Sequence, residues 1–154
     1  MFPAKKILCP IDFSEASIQA FANAVEIALH NQAEIYLLHV LPGLLADGGG
    51  STVLLPLPEY KGLLKPHQRL EELAKPLLAK GLNAQILITR GEPASEIVRA
   101  AKQKAVDIIV IATLGKTGWR HLAFGSVAEK VMRTATCPVL SIRWTVHEAA
   151  ADKT

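Results

Sequence analysis

The sequence predicts an α/β protein with an open five-stranded parallel sheet and helices on both faces. Short apolar runs, which are typical of buried strands, alternate along the chain with segments whose apolar residues recur at helical spacing. The order of these elements is βαβαβαβαβ, and 154 residues correspond to one domain. In such a sheet, ligands bind at the carboxyl ends of the strands, near the point where strand order reverses.

The first part of the chain predicts a strand, a helix, a second strand and a long loop. Residues 7–11 form an apolar run that ends at Pro10 or Ile11, and Ser14 suits the start of a helix that extends to about residue 30. Residues 34–41 are the second strand. Residues 44–62 are rich in glycine, proline and leucine without a steady period, which predicts a loop or lid. Such a loop could cover a ligand, contact a partner or be mobile.

The middle of the chain predicts two helices around a third strand. Helical spacing resumes over residues 63–80, where Pro66 suits the first turn, Pro76 is a possible kink and Gly81 is the expected C′ residue. Residues 84–90 are the third strand. Pro93 then suits the first position of a helix that extends to about residue 104.

The last part predicts a strand, a polar loop, a helix and a final strand. Residues 108–111 are β-branched and apolar, as in a strand covered on both faces. Ser126 is a candidate N-cap with Glu129 as its capping-box partner, and this helix should end near residue 134. Residues 137–143 are the fifth strand, and residues 147–154 form a small, polar tail that we expect to be frayed.

The loop before Ser126 has the composition of an anion site. Gly115, Gly118 and Gly125 allow a ligand close to the backbone, and a helix start presents free N–H groups and partial positive charge. The alternative is an ordinary strand-to-helix connection. It is not a P-loop, because Val110 stands where that motif needs its first glycine, and no G-x-G-x-x-G occurs.

Asp12 is the second candidate group, because it follows the first strand directly. A carboxylate at the carboxyl end of a parallel strand can bind a ribose hydroxyl, an amine or a metal ion. The alternative is that Asp12 only caps the helix that follows.

Composition argues against several other classes of protein. The net charge is +3 without a basic run, which disfavours nucleic acid as a partner, and no apolar segment is long enough to span a membrane. Asp12 precedes any possible signal-peptide core, so we expect a cytoplasmic protein. Cys9 and Cys137 lack C-x-x-C spacing and suggest two buried thiols, and the five histidines have no metal-binding spacing.

These segments, taken together and in order, resemble the universal stress protein family. The resemblance covers residues 4–143 and includes Lys-Lys-Ile-Leu-Cys-Pro-Ile-Asp-Phe-Ser from Lys5, Gly-Glu-Pro from Gly91, Asp-Ile-Ile-Val-Ile from Asp107 and Cys-Pro-Val-Leu-Ser-Ile from Cys137. It also includes Gly115, nine residues, then Gly125-Ser126-Val-Ala-Glu-Lys-Val. In this family Gly-x2-Gly-x9-Gly-Ser/Thr marks the members that bind ATP. The chain matches all of its anchors except the first, which is Ala112.

The resemblance implies a Rossmann-like fold of the adenine nucleotide alpha hydrolase type, with strand order 3-2-1-4-5, over residues 1–146. It implies ATP, with Mg²⁺ or Mn²⁺ held by Asp12 through the phosphates. It also implies a homodimer in which strands 138–143 of two subunits pair, and a separation of Cys9 and Cys137 that excludes a disulfide. The implied nucleotide-binding residues are Pro10, Ile11, Asp12, Val40, Ile111, Ala112, Gly115, Gly125, Ser126 and Val127.

Ala112 is the departure that bears on function. If the position requires a positive φ, alanine costs about 1 kcal/mol relative to glycine, whereas backbone proximity alone tolerates a methyl group. The leading hypothesis is therefore an ATP-binding dimeric stress or signalling protein. The alternatives are a nucleotide-free protein that acts by protein–protein interaction, for which loop 44–62 could give partner specificity, and a slow ATPase. The sequence shows no general base beside a nucleophile, so it does not indicate a dedicated enzyme.

Overall fold

The computed structural model describes residues 3–43, 58–114 and 125–143, and for residues 58–62 the backbone alone. The predictions for residues 44–57, for Gly115 and Gly118, and for the tail from residue 147 lie outside this part of the chain. The elements are β1 (Lys6–Pro10), α1 (Glu15–Asn31), β2 (Glu34–Pro42), α2 (Pro58–Ala79), β3 (Ala84–Gly91), α3 (Pro93–Lys104), β4 (Ile108–Ala112), α4 (Ser126–Thr134) and β5 (Val139–Ile142).

The sheet is parallel and has the order β3-β2-β1-β4-β5, which confirms the predicted fold class and strand order. Strand order reverses at β1, which pairs with β2 on one side and with β4 on the other. β3 and β5 are the two edges of the sheet. The reversal point therefore lies between β1 and β4, where Asp12 follows one strand and the loop before α4 follows the other.

Alternating side chains of the central strands build two apolar layers. Ile7 and Cys9 of β1 pack with α1 and α2, whereas Leu8 of the same strand packs with α3 and α4. Val110 and Ile109 of β4 divide in the same way between the two layers. Because successive side chains of a strand point to opposite faces, a continuous apolar run buries both faces of the sheet.

Two predicted helix ends are confirmed. The Ser14 side chain accepts a hydrogen bond from the Ser17 N–H at 3.1 Å and caps α1. At the end of α2, Gly81 has a φ of +75°, and the Leu82 N–H donates to the Leu77 carbonyl at 3.0 Å. The bond from Leu82 to Leu77 is the six-to-one bond of a Schellman motif, a motif that favours glycine at C′.

α2 begins earlier than predicted, so its assignment from residue 63 was wrong. The helix starts at Pro58, which makes residues 58–62 helical and places Pro66, like Pro76, in the helix interior. Proline is well suited to a first helical position because it lacks an N–H that would have no partner there. Gly62 weakens the helical pattern without ending the helix, since glycine costs about 1 kcal/mol in a helix interior.

Two further boundaries differ at the other end of the chain. Gly125, not Ser126, is the N-cap of α4, and the Glu129 carboxylate pairs with Arg133 at 2.6 Å instead of forming a capping box. β5 begins at Val139, after Pro138, whose ring removes a backbone donor.

The two cysteines differ in burial. Cys9 is buried and Cys137 is only partly buried, so the prediction of a buried thiol is wrong for Cys137; both thiols are free. Across the described ranges, no helix is both long and apolar enough to cross a bilayer.

Candidate functional site

A pocket of about 430 Å³ lies at the carboxyl ends of β1, β2 and β4, beside the start of α4. Its position at the reversal of strand order is the one predicted from the order of the elements. Gly115 is the one predicted binding residue that lies outside the described part of the chain. The predicted residues that line the pocket are Pro10, Ile11, Asp12, Val40, Ile111, Ala112, Gly125, Ser126 and Val127.

Other residues of the pocket wall were not identified from the sequence. Two come from α3, whose sequence carried no signal of a site, one is Ser17 of α1, and the others lie within two positions of a predicted site residue. Thr113 could have been identified, because it is the first residue after β4. These additional lining residues are Ser17, Leu38, Pro42, Pro93, Ile97, Thr113, Leu114 and Ala128.

Asp12 is held at the pocket by the residue that caps α1. Its Oδ1 accepts hydrogen bonds from the Ser14 N–H at 2.9 Å and from the Ser14 hydroxyl at 2.5 Å. Ser14 itself is the N-cap, so Asp12 supports the cap from outside the helix and does not cap α1 directly. Asp12 is also the one charged side chain among the described residues that line the pocket.

The turn after Asp12 is fixed by Phe13. This residue has a φ of +65°, a left-handed conformation that is uncommon for a bulky side chain and needs support from its surroundings. Its ring lies 4.8 Å from the ring of His39, centroid to centroid, and the Arg69 guanidinium carbon lies 3.9 Å from its centroid. Arg69 belongs to α2, so a cation–π contact connects that helix to the turn that carries Asp12.

The start of α4 presents backbone donors to the pocket. Gly125 has a φ of −69°, and its N–H donates to the Thr113 carbonyl at 2.5 Å, which ties the helix start to the end of β4. The N–H groups with no intrahelical partner are those of the next residues, Ser126, Val127 and Ala128, because a helix leaves its first donors unpaired. These donors and the helix dipole favour an anion at this end of the pocket.

Ala112 fits its position without backbone strain. It is the last residue of β4, pairs with Ile142 and is not among the described residues with positive φ. Its side chain is buried in a cluster with Ala16 and Ala20 of α1. The conformational penalty considered for alanine at this position therefore does not arise.

An ion pair connects the two helices that border the other side of the pocket. Glu92 caps α3 by accepting from the Ala94 and Ser95 N–H groups, and its Oε2 lies 2.8 Å from the Lys130 Nζ of α4. The Lys130 ammonium and the Ser95 donors lower the pKa of Glu92 to about 2. The pair fixes the N-terminal end of α3, where Pro93 lines the pocket.

The described residues contain no group of three or more His, Cys, Asp or Glu side chains that could hold a metal ion. A cation at the pocket would thus have Asp12 as its carboxylate ligand and would need its other ligands from a bound molecule or from water. This donor set suits Mg²⁺, which commonly binds through one or two carboxylates together with substrate phosphates.

Comparison with known proteins identifies the family. Residues 3–143 match the model of the universal stress protein family. The chain is 36% identical over 145 residues to the universal stress protein YxiE of Bacillus subtilis, a match that covers 90% of this chain and 98% of that protein.

Solved structures share the fold. Protein MJ0577, a universal stress protein of Methanocaldococcus jannaschii, superposes on this chain with a TM-score of 0.76 at 30% identity. The match covers 93% of this chain and 98% of the MJ0577 chain. A universal stress protein from Archaeoglobus fulgidus in complex with dAMP has a TM-score of 0.64 at 23% identity, with 92% and 99% covered. At this identity, the second likeness shows the fold alone.

Proposed function

We propose that this chain, which belongs to the universal stress protein family, binds ATP in the pocket between β1 and β4 and acts in stress response or signalling through its nucleotide-bound state. The single observation that supports this function most is the pocket itself. It brings the predicted binding residues Asp12, Ala112 and Gly125 together at the carboxyl ends of β1 and β4, beside a helix start. Its volume of about 430 Å³ lies in the range of small-molecule sites.

Each part of the nucleotide has a suitable surface. The first N–H groups of α4 suit the phosphates, and the apolar wall from Val40, Ile97 and Ile111 suits an adenine ring. Asp12 suits a ribose hydroxyl or a phosphate-bound Mg²⁺ or Mn²⁺ ion. The A. fulgidus protein with dAMP has the same fold.

The direct test is to identify bound nucleotide and then measure affinity. Protein purified gently should release ATP that mass spectrometry detects, and calorimetric titration with ATP and Mg²⁺ should give a micromolar Kd, equivalent to about −8 kcal/mol. Absence of both released nucleotide and heat at millimolar ATP would contradict the proposal. It would favour the alternative of a nucleotide-free protein that acts through protein partners.

Gly125→Glu places a negative charge at the proposed phosphate site and should weaken ATP binding about tenfold or more, a loss of about 1.4 kcal/mol or more. Gly125→Ala is the matched control, because a φ of −69° accepts any L-residue and alanine adds no charge. Equal affinity of the glutamate variant and the wild type would show that the phosphates bind elsewhere.

Asp12→Asn should remove the dependence of ATP affinity on Mg²⁺ and leave ATP binding in the absence of metal nearly unchanged.

A homodimer through β5 is the second part of the proposal. β5 pairs with β4 on one side and forms an edge of the sheet on the other, and Leu140 on this strand is 37% exposed. An edge strand with an exposed apolar side chain favours pairing with another strand.

Four further features remain predictions from the sequence. They are the cytoplasmic location, the single domain over residues 1–146, the frayed tail 147–154 and a partner-specific loop 44–62.

A further inference from the structure

Thr113, the first residue after β4, has a buried hydroxyl group with no hydrogen-bond partner among the described residues. The residue is 4% exposed, and its Oγ1 makes no hydrogen bond within the described part of the chain. Buried polar side-chain atoms nearly always have a partner, so an exception requires a physical explanation. Thr113 lines the same pocket as Asp12 and Gly125.

The backbone of Thr113 is fixed by hydrogen bonds on both of its polar groups. Its N–H donates to the Ile142 carbonyl at 3.0 Å, and its carbonyl accepts from the Gly125 N–H at 2.5 Å. The residue is thus fixed between the edge strand β5 and the first turn of α4.

The Thr113 backbone lies beside the proposed phosphate site. The Gly125 N–H that binds the Thr113 carbonyl directly precedes the donors of Ser126 and Val127 at the start of α4. A hydroxyl group donates one hydrogen bond and accepts others, so it can add a donor to that set. Hydrogen bonds to a charged oxygen are among the stronger ones that a neutral side chain makes.

We infer that Thr113 is a further ligand-binding residue, whose hydroxyl donates a hydrogen bond to a phosphate oxygen of the bound nucleotide. This inference rests on the proposed function and adds to it a side-chain contact at the phosphates, where the family motif relies on backbone donors. The methyl group of threonine contributes nothing to this hydrogen bond. Serine at position 113 should therefore retain ATP affinity, and valine should not.

Thr89 provides a matched control. Its Oγ1 is also buried without a partner among the described residues, but Thr89 lies on β3 and is not part of the pocket wall. Thr113→Val and Thr89→Val make the same isosteric change, the replacement of a hydroxyl by a methyl group. Both variants should keep the fold, and both should melt at or above the wild-type temperature because an unpaired buried hydroxyl is removed.

The experiment compares ATP·Mg²⁺ and adenosine binding to the full-length wild type, Thr113→Val, Thr113→Ser and Thr89→Val by calorimetry. Thr113→Val should bind ATP about tenfold more weakly, whereas Thr113→Ser should remain within about threefold of the wild type, and Thr89→Val should be unchanged. Adenosine, which lacks phosphate, should bind all four proteins equally. Thr113→Ala provides a second deletion of the hydroxyl if the valine variant does not fold.

Wild-type affinity for ATP in Thr113→Val or Thr113→Ala would overturn the inference while leaving the proposed function intact. An equal loss in the serine and valine variants would overturn it as well, because the shape of the side chain would then matter and not the hydroxyl. A loss of adenosine binding that matches the loss of ATP binding would refute the phosphate contact. Failure of the wild type to bind ATP would overturn both the proposed function and this inference.

Discussion

The Nδ1 atom of His39 lies 2.7 Å from the carbonyl oxygen of Ile11. A carbonyl only accepts hydrogen bonds, so Nδ1 carries the proton and donates. His39 is 9% exposed, and its ring also packs on Phe13. One buried side chain of β2 thus contacts both residues that flank Asp12.

His39→Phe should weaken ATP binding about threefold to tenfold and lower the free energy of unfolding by about 1 to 2 kcal/mol. The variant keeps an aromatic ring at this position but removes the donor to the Ile11 carbonyl. Calorimetry and urea denaturation measure the two effects. His30→Phe is the matched control, since His30 makes a similar bond to the Glu26 carbonyl at 2.9 Å on the exposed side of α1. Unchanged affinity in His39→Phe would show that the Ile11 backbone is held without this bond.

Ala112→Gly, which restores the family motif, should not improve ATP binding by more than about twofold. Ala112 has no positive φ to relieve, and glycine in a strand costs about 0.5 to 1 kcal/mol while removing the methyl group that contacts Ala16 and Ala20. The expected result is unchanged affinity with a lower melting temperature. A large gain in affinity would mean that the methyl group obstructs the nucleotide.

Glu92→Gln should destabilise the protein at pH 7 by about 1 kcal/mol, through loss of the helix cap and of the ion pair with Lys130. The Glu92 side chain is 49% exposed, so solvent screening keeps the effect small. The folded pKa near 2 lies below the ordinary value of about 4.3, so this contribution is present above that ordinary value and is lost as pH falls towards 2.

The difference in melting temperature between wild type and Glu92→Gln should therefore be constant from pH 7 to about 5 and narrow below about pH 4. Glu129→Gln is the control, because the pair of Glu129 with Arg133 is exposed on one helix and caps nothing. Its effect should stay below about 0.5 kcal/mol. A pH-independent difference for Glu92→Gln would show that its charge does not stabilise the fold.

Ser141→Pro should convert the proposed dimer to a folded monomer. The Ile142 carbonyl accepts a hydrogen bond from the N–H of Thr113, which directly follows β4, and the Pro138 carbonyl accepts one from the Ile109 N–H of β4. Because inward and outward backbone groups alternate along a strand, the Ser141 N–H points to the free edge. Proline at this position removes an edge donor and leaves the bonds to β4.

Light scattering during gel filtration measures the mass of this variant. Leu140→Pro is the comparison, because its N–H faces β4 and its loss should destabilise the fold itself. A wild type that is monomeric, or a Ser141→Pro variant that stays dimeric, would contradict the proposed pairing.

The site was predictable from the sequence where a residue follows directly from a strand or opens a helix. Asp12 and Ile111 lie at strand ends, which the alternation of apolar runs locates, and Gly125 and Ser126 open α4. The N-cap of α4 was missed by one residue, because Gly125 and Ser126 are both acceptable caps by composition. Residues 58–62 were assigned to the loop because Gly62 and the surrounding prolines obscured the helical pattern.

The sequence by itself determined the order of the elements, the apolar runs that bury both faces of the sheet and the chemistry of the groups after β1 and β4. These are local properties, set by side-chain periodicity and turn composition. Only the tertiary structure decided that His39 supports Ile11, that Arg69 covers Phe13 and that Glu92 reaches Lys130. It also decided that the Ala112 methyl group packs on α1 without strain and that the Thr113 hydroxyl is left without a partner within the described residues. Contacts between distant segments depend on how helices pack across the sheet, and no local pattern specifies that packing.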